Sequence, residues 1–482
     1  MGGDVLRLLA DVLDPDGLLT APEQLRTYEC DGLTGHRVIP AAVALPRSTE
    51  QVSRVAAICH REGIAYVARG AGTGLSGGSL PVADGIVISL TRMNAILAVD
   101  LDNQRVVVQP GVTNLAVTQA IAPRGFYYAP DPSSQQVCSI GGNVAENSGG
   151  AHCLKYGFTT NHVVGATFVC ADGRVAELGG AVPDSPGYDL LGLVVGSEGT
   201  LGIVTEVTLR VLRTPEKVST LLAAFSSMEQ AGTAVSRIIA AGVTPAAIEM
   251  MDGLTIEAAE AAVHAGYPTC KAALLVELDG PASECDSLFA EVERLCRDCG
   301  ATEIRIAANP AERALMWKGR KSAFAAVGRI SPDYYVQDGV IPRTKLAPVL
   351  ARIAELQAEY GVRVGNVFHA GDGNLHPLVL YNAAEPGASA RALEVAGRIL
   401  DACLEAGGSI TGEHGVGSDK ACHMTKQFSA EALTVMDRVR AAFDPAGVCN
   451  PGKVLPTPRL CGEVPGVYRR HPVELAGLAE RM

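Results

Sequence analysis

Two short stretches hold the side chains best suited to chemistry. Gly365-Asn366-Val367-Phe368-His369-Ala370-Gly371-Asp372-Gly373-Asn374-Leu375-His376-Pro377 sets two histidines around a glycine-rich turn. With Gly371–Asn374 as a four-residue turn, the flanking strands pair Ala370 with Leu375 and His369 with His376. The two imidazoles then share one face, with Cβ atoms about 4.5–5.5 Å apart. Such a pair can chelate a divalent metal, and imidazole favours zinc, manganese or iron over magnesium. A carboxylate to complete a facial set with open positions stands in Gly412-Glu413-His414-Gly415-Val416-Gly417. Glu413 and His414 are adjacent, so they cannot play the same role.

A third stretch has backbone rather than side-chain chemistry. Arg69-Gly70-Ala71-Gly72-Thr73-Gly74-Leu75-Ser76-Gly77-Gly78-Ser79 follows the apolar run Ile64–Ala68 and precedes another, Ile86–Leu90. Glycine lets successive N–H groups converge on an anion without a Cβ in the way, so the expected ligand is a phosphate or pyrophosphate. Gly72–Gly77 satisfies G-x-G-x-x-G, but Gly77-Gly78-Ser79-Leu80-Pro81 leaves no helix for a Rossmann unit. No Gly-Lys-Ser/Thr ends the run, which excludes a P-loop. The expected unit is strand, phosphate-cradling loop, strand.

More glycine and asparagine follow in Ala129-Pro130-Asp131-Pro132-Ser133-Ser134, Ile140-Gly141-Gly142-Asn143, Asn147-Ser148-Gly149-Gly150, Lys155-Tyr156-Gly157 and Gly196-Ser197-Glu198-Gly199-Thr200-Leu201-Gly202-Ile203. In an otherwise well-packed chain they imply backbone lying against a ligand. In this order they resemble the successive FAD contacts of the vanillyl-alcohol-oxidase or PCMH-type flavoproteins. The resemblance spans roughly residues 35–455 and is nearest to the glycolate oxidase and D-lactate or D-2-hydroxyglutarate dehydrogenase branch.

That resemblance implies FAD contacts from Arg69, Gly70, Ala71, Gly72, Thr73, Gly74, Leu75, Ser76, Gly77 and Gly78 in the loop. Pro130, Asp131, Ser134, Gly141, Gly142, Asn143, Asn147, Gly150, Tyr156 and Gly157 continue the set. Glu198, Gly199, Gly202 and Ile203 extend it, and Asn450 and Lys453 close it in a returning C-terminal segment. It further implies that His369, His376 and Glu413 ligate the metal, that His414 is the catalytic base, and that Arg320 meets the substrate carboxylate. Tyr334, Tyr335 and Asp338 are expected along the pocket. No histidine lies between Arg61 and Ala151, so the flavin is expected to be non-covalent.

The implied reaction is oxidation of a small 2-hydroxyacid, glycolate or D-lactate, by hydride transfer to flavin N5. The alternatives are D-2-hydroxyglutarate as substrate, or non-redox chemistry of the alkyl-glycerone-phosphate synthase type. The sequence has no iron–sulfur ligand set and no nicotinamide fingerprint. The expected acceptor is therefore a quinone, a cytochrome, an electron-transfer flavoprotein or an iron–sulfur partner subunit, in a homo-oligomer or hetero-complex.

The composition suits this reading. A length of 482 residues allows two or three domains. A net charge of -12 argues against nucleic acid as partner. The start, Met1–Leu9, lacks the basic onset and apolar core of a signal peptide, and no apolar run reaches membrane-spanning length. The expected location is cytoplasmic, or peripheral at the inner face of a membrane. The scattered cysteines read as idle thiols.

The elements that must position these residues follow from periodicity. Ser48-Thr49-Glu50-Gln51 is a capping box for a helix that Gly63 stops, feeding the strand before the glycine loop. Ala95–Asp100 and Arg105–Gln109 form a hairpin, and Thr113 opens a second helix closed by Gly125. Beyond Pro215, strand-length runs (218–225, 270–278, 302–307) alternate with helical patterns (227–241, 252–265, 281–299, 309–328, 343–360). That alternation suggests a sheet with helices on one face. The fold class is α+β. An N-terminal helical segment (1–35) precedes a PCMH-type FAD-binding domain (36–214). An α+β substrate domain of ferredoxin-like character (215–425) follows, and then C-terminal helices and a tail returning to the FAD domain (426–482).

Overall fold

A computed structural model describes residues 2–180, 182 and 186–456. In the first half, Ser48 caps the helix Thr49–Glu62 by accepting from Gln51 N, and the Gln51 side chain accepts from Arg47 N. Gly63, at φ +63°, ends it. Its apolar stripe, Val52, Val55, Ala56 and Cys59, is buried against Tyr66, Ile86 and Ile88. The strand Tyr66–Arg69 then runs parallel to Ile86–Ser89, joined by the glycine loop with no intervening helix. These strands belong to a four-stranded sheet with Ala42–Ala44 and Leu18–Leu19.

The hairpin Ile96–Asp100/Arg105–Val108 forms the edge of a five-stranded antiparallel sheet completed by Gly202–Arg210, Val163–Cys170 and Val175–Gly179. A helix, Asn114–Ile121, forms as expected, and a short 3-10 turn carries the chain on to Gly125. Residues 140–146, to which the periodicity assigned no element, form a helix. Ser139 caps it, and Asn147 in the left-handed region stops it. Gly70 lets the glycine loop approach the cap of this helix: a Cβ on it would lie 2.1 Å from Ser139 Oγ.

The second half is one antiparallel sheet ordered Ala301–Ile306, Lys217–Phe225, Ala272–Gly280, Ala247–Asp252, Arg363–His369, Asn374–Tyr381 and Asp333–Val336. Helices cover both of its faces, not one. Leu274, Val276, Phe368 and Leu375 pack against Val235, Leu350 and Ile399 on one side, while Leu275, Val367 and Leu378 pack against Ile256, Met316 and Trp317 on the other. The central strands accordingly carry apolar side chains on successive residues, as strands buried on both faces do. The strands Ala247–Asp252, Asp333–Val336 and Gly339–Val340 are elements the periodicity did not announce.

After the helix Ala430–Phe443 the chain returns to the first half. Tyr66 N donates to Val448 O and Asn450 N to Tyr66 O, each at 2.8 Å, adding a short parallel bridge beside the strand that precedes the glycine loop. The tail expected beyond residue 456 lies outside the described residues.

Candidate active site

A cavity of about 970 Å³ opens between the two halves. One wall is the glycine loop from Arg69 to Leu75 with Gly78, facing Ser134, Gly141, Gly142 and Asn143, and Glu198, Gly199, Gly202 and Ile203. The other end is lined by Lys321, Phe324, Tyr334, His376, Glu413 and His414. From Gly70 to Leu75 no backbone N–H donates to another described residue. Gly72 shows why the sequence must be glycine here: φ is +71°, and a Cβ would lie 2.3 Å from Arg69 Nη2. A row of unspent donors with room beside it fits a diphosphate. Asp31, which the sequence did not single out, shapes the loop by accepting from Leu33 N and Ser79 N.

The remaining residues expected at the cofactor do not line the cavity. Ser76 donates to His414 O at 2.8 Å, and Gly77 turns at φ +76°. Pro130 accepts from Asn114 Nδ2, and Asp131 pairs with His152. Asn147 accepts from Thr160 N, and Gly150 and Gly157 hold positive φ. Tyr156 reaches across to Asp279 at 2.7 Å. Asn450 donates to Gly78 O and Glu198 O, and Lys453 to Leu80 O. These residues brace the cavity walls. Arg69 lines the cavity, yet its guanidinium is spent on Cys30 O at 2.8 Å and lies over the Tyr28 ring.

The histidine hairpin differs in register from the sequence expectation. His369 pairs with Asn374, and His376 with Val367, because the turn is Ala370–Gly373 and Asn374 is drawn into the ladder opposite Val340. The histidines are thus diagonal rather than directly opposite. They still share a face, with ring centroids 5.0 Å apart. Glu413 Oε1 lies 3.3 Å from both His369 Nε2 and His376 Nε2. Potential ligand atoms of His369, His376 and Glu413 all fall within 4.8 Å of one another. Both ring nitrogens of His376 are buried without a hydrogen-bond partner.

His369 Nδ1 lies 2.8 Å from Glu249 Oε1, which leaves Nε2 pointing into the cluster. A carboxylate behind a histidine fixes tautomer and ring orientation in metal sites, so the donor set fits a divalent metal. Glu249 is the residue the sequence reading missed. It sits on an unannounced strand, and its only signal was one acid inside Ala247-Ile248-Glu249-Met250-Met251. Burial alone would raise its pKa, but Arg320 and His369 hold it below the usual value.

Arg320 is 2% exposed and does not line the cavity. Its Nη2 lies 2.5 Å from Glu249 Oε2, while its Nε and Nη2 make no directed hydrogen bond. Its neighbour Lys321 lines the cavity.

His414 stacks on His376 with centroids 4.8 Å apart and planes 3° from parallel. Burial lowers its pKa to about 4, and His376 and Lys420 push in the same direction against Asp338 and Glu413. Its loop is held by Asp338, which is fully buried and does not line the pocket, contrary to expectation. Asp338 Oδ2 accepts from Thr411 Oγ1 and from the backbone N–H of Gly412, Glu413 and His414, at 2.6 to 3.2 Å. Gly415, at φ +82°, brings the loop against the first half. A Cβ there would lie 2.1 Å from Glu146 Oε2. Glu198 then accepts from Val416 N and Gly417 N at 2.6 Å each.

Residues 40–179 match the family "FAD binding domain" and residues 214–454 the family "FAD linked oxidases, C-terminal domain". The chain is 51% identical to glycolate oxidase subunit GlcD of Escherichia coli K12, over 94% of this chain and 91% of that one. It is 38% identical to the Bacillus subtilis protein of the same name, over 94% and 96%. D-lactate dehydrogenase of Anaerostipes hadrus is 33% identical over 86% and 89%. Among solved structures, substrate-bound p-cresol methylhydroxylase superposes with a TM-score of 0.78 at 17% identity, over 94% and 96%. An alkyldihydroxyacetonephosphate synthase superposes at 0.73 and 18%, over 94% and 85%, and at such identities the likeness is one of fold. With its glycine cradle, buried ligand cluster and two matched domains, the chain belongs to the FAD-linked oxidases, a family of flavoprotein oxidoreductases.

Proposed function

We propose that the protein oxidises a small 2-hydroxyacid of the glycolate or D-lactate type to the 2-oxoacid, with His369, His376 and Glu413 as metal ligands and His414 as base. One observation supports this above the others: the glycine cradle and the imidazole–carboxylate cluster open into the same cavity. The names of the relatives, glycolate oxidase subunit and D-lactate dehydrogenase, support the substrate class.

The unspent backbone N–H groups of the glycine loop would hold the FAD diphosphate, non-covalently. FAD, when bound, supplies the hydride acceptor, and a metal at His369, His376 and Glu413 supplies a Lewis acid for the substrate's hydroxyl. Arg320, with its undirected Nε and Nη2, and Lys321 give the cationic environment for the carboxylate. His414 takes the hydroxyl proton at a ring nitrogen. Its depressed pKa keeps it neutral and ready near pH 7. Electrons leave to a non-nicotinamide acceptor, and the subunit naming of the relatives supports a partner protein in that role.

The test is the anaerobic visible spectrum of the holoprotein before and after addition of glycolate, D-lactate, L-lactate or D-2-hydroxyglutarate. Bleaching by glycolate or D-lactate that is lost on chelation is the expected result. Bleaching only by D-2-hydroxyglutarate reassigns the substrate, and bound flavin that no hydroxyacid bleaches overturns the reading. His414→Ala should lower turnover by about 10² or more with FAD still bound.

A further inference from the structure

We infer that His152 is a positioning residue: bridging Asp131 of the first half and Glu277 of the second, it docks the helix Pro310–Val327 beside the cavity and so sets Arg320 and Lys321. His152 Nδ1 lies 3.0 Å from Asp131 Oδ1, and Nε2 lies 3.3 Å from Glu277 Oε1. Its ring stacks on Trp317 with centroids 5.5 Å apart. Trp317 Nε1 donates to Glu277 Oε2 at 2.6 Å, and Arg313 grips the same carboxylate through Nε and Nη2 at 2.8 and 2.7 Å. Glu277 also accepts from Thr220 Oγ1. On the other side Lys321 Nζ lies 3.5 Å from Asp131 Oδ2. The helix thus contributes Arg313, Trp317, Arg320 and Lys321 on successive turns. The first two and Lys321 engage this bridge or its carboxylates, while Arg320 reaches Glu249.

A neutral imidazole donates through one nitrogen only, so both carboxylates are served together only by the protonated ring. Burial pushes the His152 pKa down, but Asp131 and then Glu277 more than offset it and raise it to about 10. Asp131 is in turn held low, chiefly by His152 and Lys321 against its own burial. The groups facing the ring are therefore Asp131 from its own half and Glu277 from the facing strand. Arg313 and Lys321 are the cations on those carboxylates. Because the folded-state pKa is raised, the bridge is at full strength below the unfolded value near 6.5. It weakens as pH rises toward about 10.

The experiment compares the holoenzyme with its His152→Gln variant between pH 6 and 10.5. The expected Tm deficit of the variant is largest near pH 6.5, shrinks as pH rises, and is smallest at pH 10.5, above the pKa of about 10, where most of the wild type has lost that proton. At pH 7, kcat/KM for glycolate should fall on the order of tenfold to a hundredfold, chiefly through KM, with FAD content retained. A deficit independent of pH, or an unchanged KM, overturns the proposal. If the variant does not fold, ¹³C-histidine NMR of the wild-type holoenzyme at pH 8.5 decides. A charged ring assigned to His152 supports the bridge, and a neutral His152 ring overturns it. The Tm and NMR arms need no turnover, so failure of the 2-hydroxyacid reading leaves them interpretable.

Discussion

Glu249 shows how much of this site depends on a residue that touches neither cavity nor ligand. It is 1% exposed and placed between the guanidinium of Arg320 and Nδ1 of His369. Glu249→Gln keeps the volume but offers Arg320 no charge and leaves the His369 tautomer free. Metal affinity should fall about 10- to 100-fold, measured as metal retained after dialysis, while FAD content stays unchanged. Glu249→Ala goes further and strands a buried cation. Breaking such a pair costs about 3–5 kcal/mol, which denaturant unfolding would read. The clustering of His369, His376 and Glu413 was legible because glycines flank them in two short motifs. Glu249 was not, because it meets His369 from 120 positions away, and only the pairing of the two strands brings them together.

The decisive element is the loop 411–417. It has no regular structure, and its shape comes from Asp338 on one side and Glu198 on the other. Charge-assisted hydrogen bonds of this kind contribute about 1.5–3 kcal/mol each. Asp338→Asn keeps one acceptor oxygen but loses the charge. Lower Tm and a kcat reduced on the order of 10- to 100-fold, with FAD retained, are expected as His414, the proposed base, loosens. Gly415→Ala should be worse, since the new methyl meets Glu146 and the backbone sits at φ +82°. Loss of both activity and flavin is the expected outcome, read by kcat and by the protein-to-flavin absorbance ratio. Local chemistry made helix caps and the 96–108 hairpin readable. The histidine hairpin's register was not, because its arbiter is Val340, in a strand the local pattern does not reveal.

At the scale of the molecule, the cavity lies between the two halves of the chain, and the last described segment returns from the second half to brace the first. Asn450 is 1% exposed and serves Gly78 O and Glu198 O with one amide nitrogen. Asn450→Ala should cost about 1–3 kcal/mol for acceptors left buried, and should hasten flavin release, followed by fluorescence. The α+β class and the alternation of the second half were legible from periodicity. Helices on both faces of the second sheet were not, since a short apolar run does not say how many of its faces are covered. Among the described residues no helix is long and apolar enough to cross a membrane.

Asn450 and Gly78 lie 372 positions apart along the chain. A ribosome adding about 5–20 residues per second therefore leaves the glycine loop without its last support for about 20–70 s after the loop itself is made. That support is therefore added only after the whole of the second half has been made.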